Sequence, residues 1–247
     1  MNRLRFTGPG TRYVLVTAAL VGVVGLVSRR IRRSYGGHAA CRFAGAALGV
    51  VAAQQAVVAI VLRRRPNPRG LSLVDCITLS RATVSAVLLG LIASGVRDRR
   101  GPAGWLAWCS VVYGAIVCDW LDGPLARRTR TSEAGSVLDL EADSWLTLGT
   151  GTAATSWGEL ARVAAFPALL RYPLFFDVVR RTEYARATAG DPPWARRMGI
   201  AQMALYLAAL APFGGRATKS VVRVIAPIET VAQSVGLVVL YRRKVHS

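Results

Sequence analysis

Charged side chains are scarce in this sequence of 247 residues, and acidic ones are scarcest. Charged residues make up 18% of the chain, against about 25% in ordinary soluble domains, while apolar residues make up 53%. Only 13 residues are Asp or Glu and only two are His. The four cysteines form no CxxC pair and no spacing typical of zinc ligands. These shortages exclude a disordered chain and a cysteine-ligated zinc site, and they argue against an ordinary soluble fold.

Basic residues outnumber acidic ones by 32 to 13, which gives a formal net charge of +19. Such a charge suits nucleic acid or anionic lipid as a partner. A nucleic-acid reader would carry its basic residues along one soluble face. Here they stand at the ends of apolar runs, so we expect a membrane protein that contacts lipid and no nucleic acid. The clusters are Arg29-Arg30, Arg32-Arg33, Arg63-Arg64-Arg65, Arg99-Arg100, Arg180-Arg181 and Arg242-Arg243-Lys244.

Eight apolar segments approach the length of a membrane-spanning helix, which needs about 20 residues. They predict an all-α polytopic membrane helix bundle. The clearest break, at residues 66–70, divides the chain into an N-terminal extension with two membrane helices, 1–70, and a six-helix domain, 71–247. The segments are residues 13–28, 39–62, 75–96, 102–121, 136–157, 161–179, 198–213 and 220–241.

The distribution of basic residues predicts the orientation of these segments in the cell membrane. An eight-span arrangement places 18 basic residues on the side of both termini and nine on the other side, so we expect both termini in the cytoplasm. Four of the nine lie between Arg29 and Arg33. A first segment that lies in the membrane interface would also explain this cluster.

Six of the 13 acids fall within 25 positions, which is a marked concentration in so acid-poor a chain. A carboxylate at membrane depth costs a few kcal/mol, so it normally pairs with a cation, lines a wet cavity or holds a metal. Too few basic residues lie in the neighbouring spans to neutralise all six. The acids are Asp119, Asp122, Glu133, Asp139, Glu141 and Asp143.

The spacing of four of these acids places them in two pairs on adjacent helix ends. Asp119 and Asp122 are three residues apart, and Asp139 and Asp143 are four apart, so each pair shares a helix face. Glu141 points away from the second pair at about 100° per residue. Four facing carboxylates suit Mg²⁺ or Mn²⁺ better than zinc.

The residues around these acids carry a family resemblance. Asp119-x-x-Asp122-Gly123-x-x-Ala126-Arg127, followed by Gly135-x-x-x-Asp139-x-x-x-Asp143, resembles the signature of the CDP-alcohol phosphatidyltransferase family. The helices from residue 75 to 241 are similar to the six-helix membrane core of that family. The first two helices have no counterpart in the minimal core, and we assign them no catalytic role.

The resemblance implies a role for each matched residue. Asp119, Asp122 and Asp139 would bind two divalent ions, while Asp143 would lie near the second ion and take the proton from the attacking hydroxyl. The small Gly123 and Ala126 would let the nucleotide approach the helix, and Arg127 would supply a cation for phosphate or cytosine.

A second similarity lies at the start of the first core helix, where the family often has Asn-x-x-Thr-x-x-Arg. This chain has Asp75-x-x-Thr78-x-x-Arg81, so Thr78 and Arg81 match while Asp75 replaces the Asn. In the family this helix helps to hold the nucleotide. We therefore expect Arg81 to contact phosphate and Asp75 to change how the cytidine end is held.

The reaction implied by the resemblance belongs to phospholipid biosynthesis. An alcohol would attack the lipid-side phosphorus of CDP-diacylglycerol, take the phosphatidyl group and release CMP, at a site facing the cytoplasm. Arg196-Arg197-x-x-x-x-Gln202 faintly resembles a stretch of members that use glycerol 3-phosphate, although Gly199 replaces a Thr, so we favour that acceptor. Inositol phosphate is its nearest competitor, and other alcohols, including those used in CDP-choline or CDP-ethanolamine chemistry, stay open. The family also suggests a homodimer.

Two other classes of function compete with a transferase. Asp139 and Asp143 could form a proton relay or ion-binding pair in a transporter, a fair default for intramembrane acids. An inactive membrane scaffold is the third possibility. The combined motif, with its eight specified positions in order, favours the transferase.

Overall fold

A computed structural model describes residues 9–63, 73–98, 100–118, 120–121, 135–181 and 192–246. Eight α-helices account for most of these residues, and no strand occurs among them, so the predicted all-α class is confirmed. The helices are α1 (Pro9–Tyr35), α2 (Gly37–Arg63), α3 (Leu73–Ser94), α4 (Pro102–Val112), α5 (Gly135–Ser156), α6 (Phe166–Arg181), α7 (Pro193–Leu210) and α8 (Arg216–His246).

Each of the eight apolar segments coincides with one of these helices, but the helices do not end where the apolar residues end. α1 continues through the arginines to Tyr35, since Arg is itself a good helix former. α4 changes at its end into a π-helical turn, Tyr113–Val117, and a short 3₁₀ turn, Arg162–Ala165, leads into α6. Hydropathy marks the middle of a helix and not its polar ends.

Three helical stretches in the described part of the chain are long and apolar enough to cross a membrane by length and composition. They are Tyr13–Tyr35, Asp75–Ser94 and Arg216–Val245, and Pro102–Val117 is a shorter apolar helix. These helices indicate a membrane protein. The larger number of spans stays a prediction from the sequence.

The chain divides into two compact units. The first comprises Met1–Val96 and Val112–Leu146, and the second comprises Arg97–Val111 and Thr147–Ser247.

In the first unit, α1 and α2 form a helical hairpin that packs on α3. Gly36, at a φ of +90°, links α1 to α2 in a backbone conformation that favours glycine. A Cβ on Gly90 of α3 would lie 2.8 Å from the ring of Phe43 on α2, so the two helices approach closely there. The Gln54 amide of α2 donates to the Ala82 carbonyl at 2.8 Å and to Ser85 Oγ at 3.0 Å on α3. α2 therefore packs closely on α3.

The second unit is organised around a buried tyrosine. Tyr206 donates to the Ala164 carbonyl at 2.7 Å and accepts a hydrogen bond from Gln202 at 3.0 Å. A Cβ on Gly151 would lie 3.0 Å from the tyrosine hydroxyl, so glycine leaves room for the ring. Trp108 packs edge-on against Phe213 with ring centroids 5.0 Å apart, which supports a packing role for this tryptophan.

Candidate active site

The candidate site lies in the first unit, where α3 contacts the beginning of α5. Nη1 of Arg81 on α3 lies 2.5 Å from Oδ1 of Asp143 and 3.4 Å from Oδ1 of Asp139. The arginine side chain is 4% exposed, while those of Asp139 and Asp143 are 54% and 46% exposed. The two carboxylates thus share one face of α5, as their four-residue spacing predicts, and converge on one buried cation.

The rotation of α5 about its axis follows from its apolar side. Leu138, Ala142 and Leu146 are buried and recur every four residues, so they form a stripe that packs inward. Asp139 and Asp143 each follow a stripe residue by one position, about 100° around the helix. The apolar stripe therefore holds the acid pair in place on the neighbouring face.

Arg81 supplies the electrostatic balance of the described site. A buried guanidinium is stable only with charged or hydrogen-bonding partners, and the two carboxylates provide them. Among these three groups the carboxylates outnumber the guanidinium by two to one. The sequence predicts that Arg81 contacts phosphate. It gives no sign of the pairing with the two acids, because they lie 58 and 62 positions away along the chain.

The face of α3 that carries Arg81 is polar and buried at its beginning. Asp75 and Thr78 precede Arg81 at three-residue intervals, and all three residues are buried. Neighbours three residues apart are about 60° apart around a helix, so Thr78 shares a face with Arg81, while Asp75 and Arg81 are about 120° apart. Thr78 therefore lies on the side of α3 from which Arg81 reaches α5.

The end of α4 is fixed against α3 and α5. Ser80 Oγ and Tyr113 Oη share a hydrogen bond of 2.7 Å. A Cβ on Gly114 would lie 3.0 Å from Leu146 and 3.1 Å from Val84, so the three helix segments meet closely at this glycine. The π-helical turn that contains Tyr113 and Gly114 ends just before position 119. Five of the predicted site residues, Asp119, Asp122, Gly123, Ala126 and Arg127, lie outside the described residues.

Glu141 belongs to a different surface from the acid pair. It is half-buried and lines a small pocket beside Gln54 of α2 and Leu79 of α3. Glu141 thus points away from Asp139 and Asp143, as the helical repeat predicts. Oε1 of Gln54 in the same pocket is buried without a hydrogen-bond partner in the described structure.

The site residues that the structure describes are of a type that binds a hard divalent cation. Asp139 and Asp143 offer carboxylate oxygens, the ligand type that Mg²⁺ and Mn²⁺ prefer, and both are partly open to solvent. No group of three or more His, Cys, Asp or Glu side chains suited to a metal occurs in the described stretches. The other two predicted ligands, Asp119 and Asp122, lie outside those stretches, so the described pair forms half of the predicted donor set.

Comparison with known proteins identifies a family. A family model, CDP-alcohol phosphatidyltransferase, matches residues 71–244. No curated protein and no solved structure matches the chain. The matched stretch contains the acid pair, Arg81 and all the other predicted site residues, and it leaves α1 and α2 outside.

Proposed function

Because this chain belongs to the CDP-alcohol phosphatidyltransferase family, we propose that it moves the phosphatidyl group of CDP-diacylglycerol to a small alcohol and releases CMP. The family transfers substituted phosphate groups from a CDP-alcohol to an alcohol acceptor, and it acts in phospholipid biosynthesis. The observation that carries the proposal is the convergence of Asp139 and Asp143 on Arg81, within the stretch that matches the family. The family acts on CDP-alcohol donors, and the choice of CDP-diacylglycerol is the more specific part of the proposal.

The family uses divalent metal ions, and the acid pair suits them. In the proposed site Asp119, Asp122 and Asp139 would bind two ions, Mg²⁺ or Mn²⁺, with Asp143 beside the second. When bound, such ions neutralise the diphosphate and polarise the bond that breaks. The buried apolar stripe of α5 supports this role, since it fixes the face on which Asp139 and Asp143 lie.

Asp143 is the proposed general base. Its half-exposed carboxylate takes the proton of the acceptor hydroxyl, whose oxygen then bonds to the lipid-side phosphorus. The bond from that phosphorus to the bridging oxygen breaks, and the electron pair leaves with CMP. Positioning the hydroxyl beside the carboxylate is the protein's main contribution to this step.

The remaining predicted residues would hold the substrate. We assign Thr78 and Arg81 to the nucleotide and diphosphate, Gly123 and Ala126 to close approach of the nucleotide, and Arg127 to a phosphate or cytosine contact. The buried positions of Thr78 and Arg81 on one side of α3 support this assignment. The match that begins at residue 71 supports treating residues 1–70 as an extension to a catalytic domain.

The proposed enzyme is a multi-pass protein of the cell membrane with its site facing the cytoplasm, and it forms a homodimer through its membrane helices. The excess of basic residues on the side of both termini supports the orientation. In this arrangement the acyl chains of the donor stay in the bilayer while its head group enters from the cytoplasmic leaflet.

Glycerol 3-phosphate is the acceptor that we propose. Arg196 and Arg197 are exposed near the beginning of α7, so their guanidinium groups are open to an anionic ligand. Gln202 is buried and donates to Tyr206, so it belongs to the packing of the second unit and adds no support. The acceptor assignment therefore depends on the two arginines.

An acceptor panel tests the proposal. Purified protein with CDP-diacylglycerol and Mg²⁺ should release CMP with glycerol 3-phosphate and form the corresponding phosphatidyl product. Turnover with inositol phosphate alone, or with a neutral alcohol alone, would correct the acceptor and keep the class. No CMP with any acceptor, together with substrate crossing the bilayer of reconstituted vesicles, would favour a transporter instead.

A further inference from the structure

Arg81 occupies a position that substrate binding alone does not explain. Its Nη1 contacts both acids that the proposed function assigns to metal binding and catalysis. The shorter contact, 2.5 Å, is to Asp143. A cation bound at this site would use the same two carboxylates that the guanidinium contacts.

Arg81 needs counter-charges because its side chain is buried. The side chain is 4% exposed, and a buried guanidinium without counter-charge is costly. Asp139 and Asp143, in turn, would repel each other if both were ionised on one helix face with no cation beside them. The three groups therefore stabilise one another.

A divalent cation changes this balance. It would draw on the same two carboxylates, and its charge would repel the guanidinium beside them. Arg81 and the metal therefore compete for the acid pair.

We propose that Arg81 is a built-in counter-cation that holds Asp139 and Asp143 in the metal-free protein, competes with the divalent cation, and on displacement becomes available to the diphosphate. This inference rests on the proposed function for the identity of the acids as metal ligands. Arg81 is in this respect a positioning residue that prepares the acid pair and links metal loading to donor binding.

A simpler role for Arg81 predicts the opposite sign in one measurement. If the guanidinium only keeps the two carboxylates correctly oriented for the metal, its removal misplaces the ligands and weakens metal binding. If it competes with the metal, its removal strengthens metal binding. The sign of the change in metal affinity separates the two roles.

The experiment is a Mn²⁺ titration of the full chain in detergent, without nucleotide, followed by the electron paramagnetic resonance signal of free Mn²⁺. We expect Arg81→Gln to bind Mn²⁺ about tenfold more tightly than the wild type, since it removes one positive charge next to the ions. Arg81→Lys keeps the charge and should stay within about threefold. Arg42→Gln, at an exposed arginine of α2 in the same unit, should bind Mn²⁺ like the wild type. Unchanged or weaker binding by Arg81→Gln would overturn the proposal.

Thermal unfolding provides a second readout. In EDTA the unfolding midpoint of Arg81→Gln should fall about 5 °C below that of the wild type, and saturating Mn²⁺ should close most of the gap. A variant that unfolds in EDTA yet is folded in Mn²⁺ gives the same result in a stronger form. An equal deficit with and without Mn²⁺ would show a purely structural role and contradict the proposal.

These outcomes are distinguishable from a failure of the proposed function. A wild-type protein that releases no CMP would refute the transferase while leaving the Mn²⁺ competition measurable. Conversely, active wild-type protein whose Arg81→Gln variant binds Mn²⁺ no more tightly would refute the counter-cation alone.

Discussion

Asp139 and Asp143 show how far the sequence determines the site at the scale of single residues. Their spacing predicts a shared helix face, and the structure has them on one face of α5. That result needs only the helical repeat, which is a local property. The pairing with Arg81 needs the placement of α3 against α5, which is a tertiary contact and has no local signal.

The first prediction concerns Asp139 as a metal ligand. Asp139→Asn should raise the Mg²⁺ concentration for half-maximal CMP release by about tenfold or more, because a neutral amide oxygen is a weaker ligand than a carboxylate. The measurement is initial rate against Mg²⁺ concentration at saturating CDP-diacylglycerol and acceptor. Glu141→Gln, two positions along the same helix and on the pocket side, is the matched control and should keep the wild-type Mg²⁺ dependence. The same Mg²⁺ dependence in Asp139→Asn and wild type would remove Asp139 from the metal site.

At the scale of helices, apolar periodicity and length predict which segments are helical but not how the helices pack. The sequence gives α1 and α2 no catalytic role. In the structure α2 donates two hydrogen bonds from Gln54 to Ala82 and Ser85, next to Arg81 on α3. Such a contact depends on the register of two helices, which periodicity does not determine. α2 therefore supports the helix that carries a site residue.

The second prediction tests this support. Gln54→Leu removes both hydrogen bonds at similar volume and should lower the free energy of unfolding by about 1–2 kcal/mol. Chemical unfolding of the purified protein in detergent, followed by tryptophan fluorescence, measures the change. Gln55→Leu is the matched control, since the Gln55 side chain takes part in one longer contact, 3.3 Å, from Thr17. A destabilisation by Gln55→Leu equal to that by Gln54→Leu would show that Gln54 has no special part in holding α3.

At the scale of the whole molecule, composition alone indicates a membrane protein. The apolar content and the basic residues at helix ends lead to this class, and three helical stretches in the described chain meet the length and hydropathy of a membrane span. The number of spans follows from the lengths of the apolar segments, and their direction follows from loop charge. The four arginines near the end of α1 fit the positive-inside rule least well, because they lie on the side opposite the two termini.

The third prediction concerns the orientation. In a variant without the four native cysteines, His38→Cys, at the beginning of α2, should react with a membrane-impermeant thiol reagent in intact cells. A single cysteine at Ser247 should react only after the cells are permeabilised, because both termini are expected in the cytoplasm. If α1 lies in the interface instead, the cysteine at position 38 will also need permeabilisation.

The central claim is that the acid pair on α5 performs phosphatidyl transfer, and CMP release by an Asp143→Asn variant tests it most directly. The wild type should release CMP from CDP-diacylglycerol in the presence of Mg²⁺ and acceptor. Asp143→Asn, which keeps the shape but loses the basic group, should lower turnover by about 10³-fold or more while nucleotide binding is largely kept. Glu141→Gln should stay within about threefold of the wild type under the same conditions. Turnover by Asp143→Asn equal to that of the wild type would contradict the account.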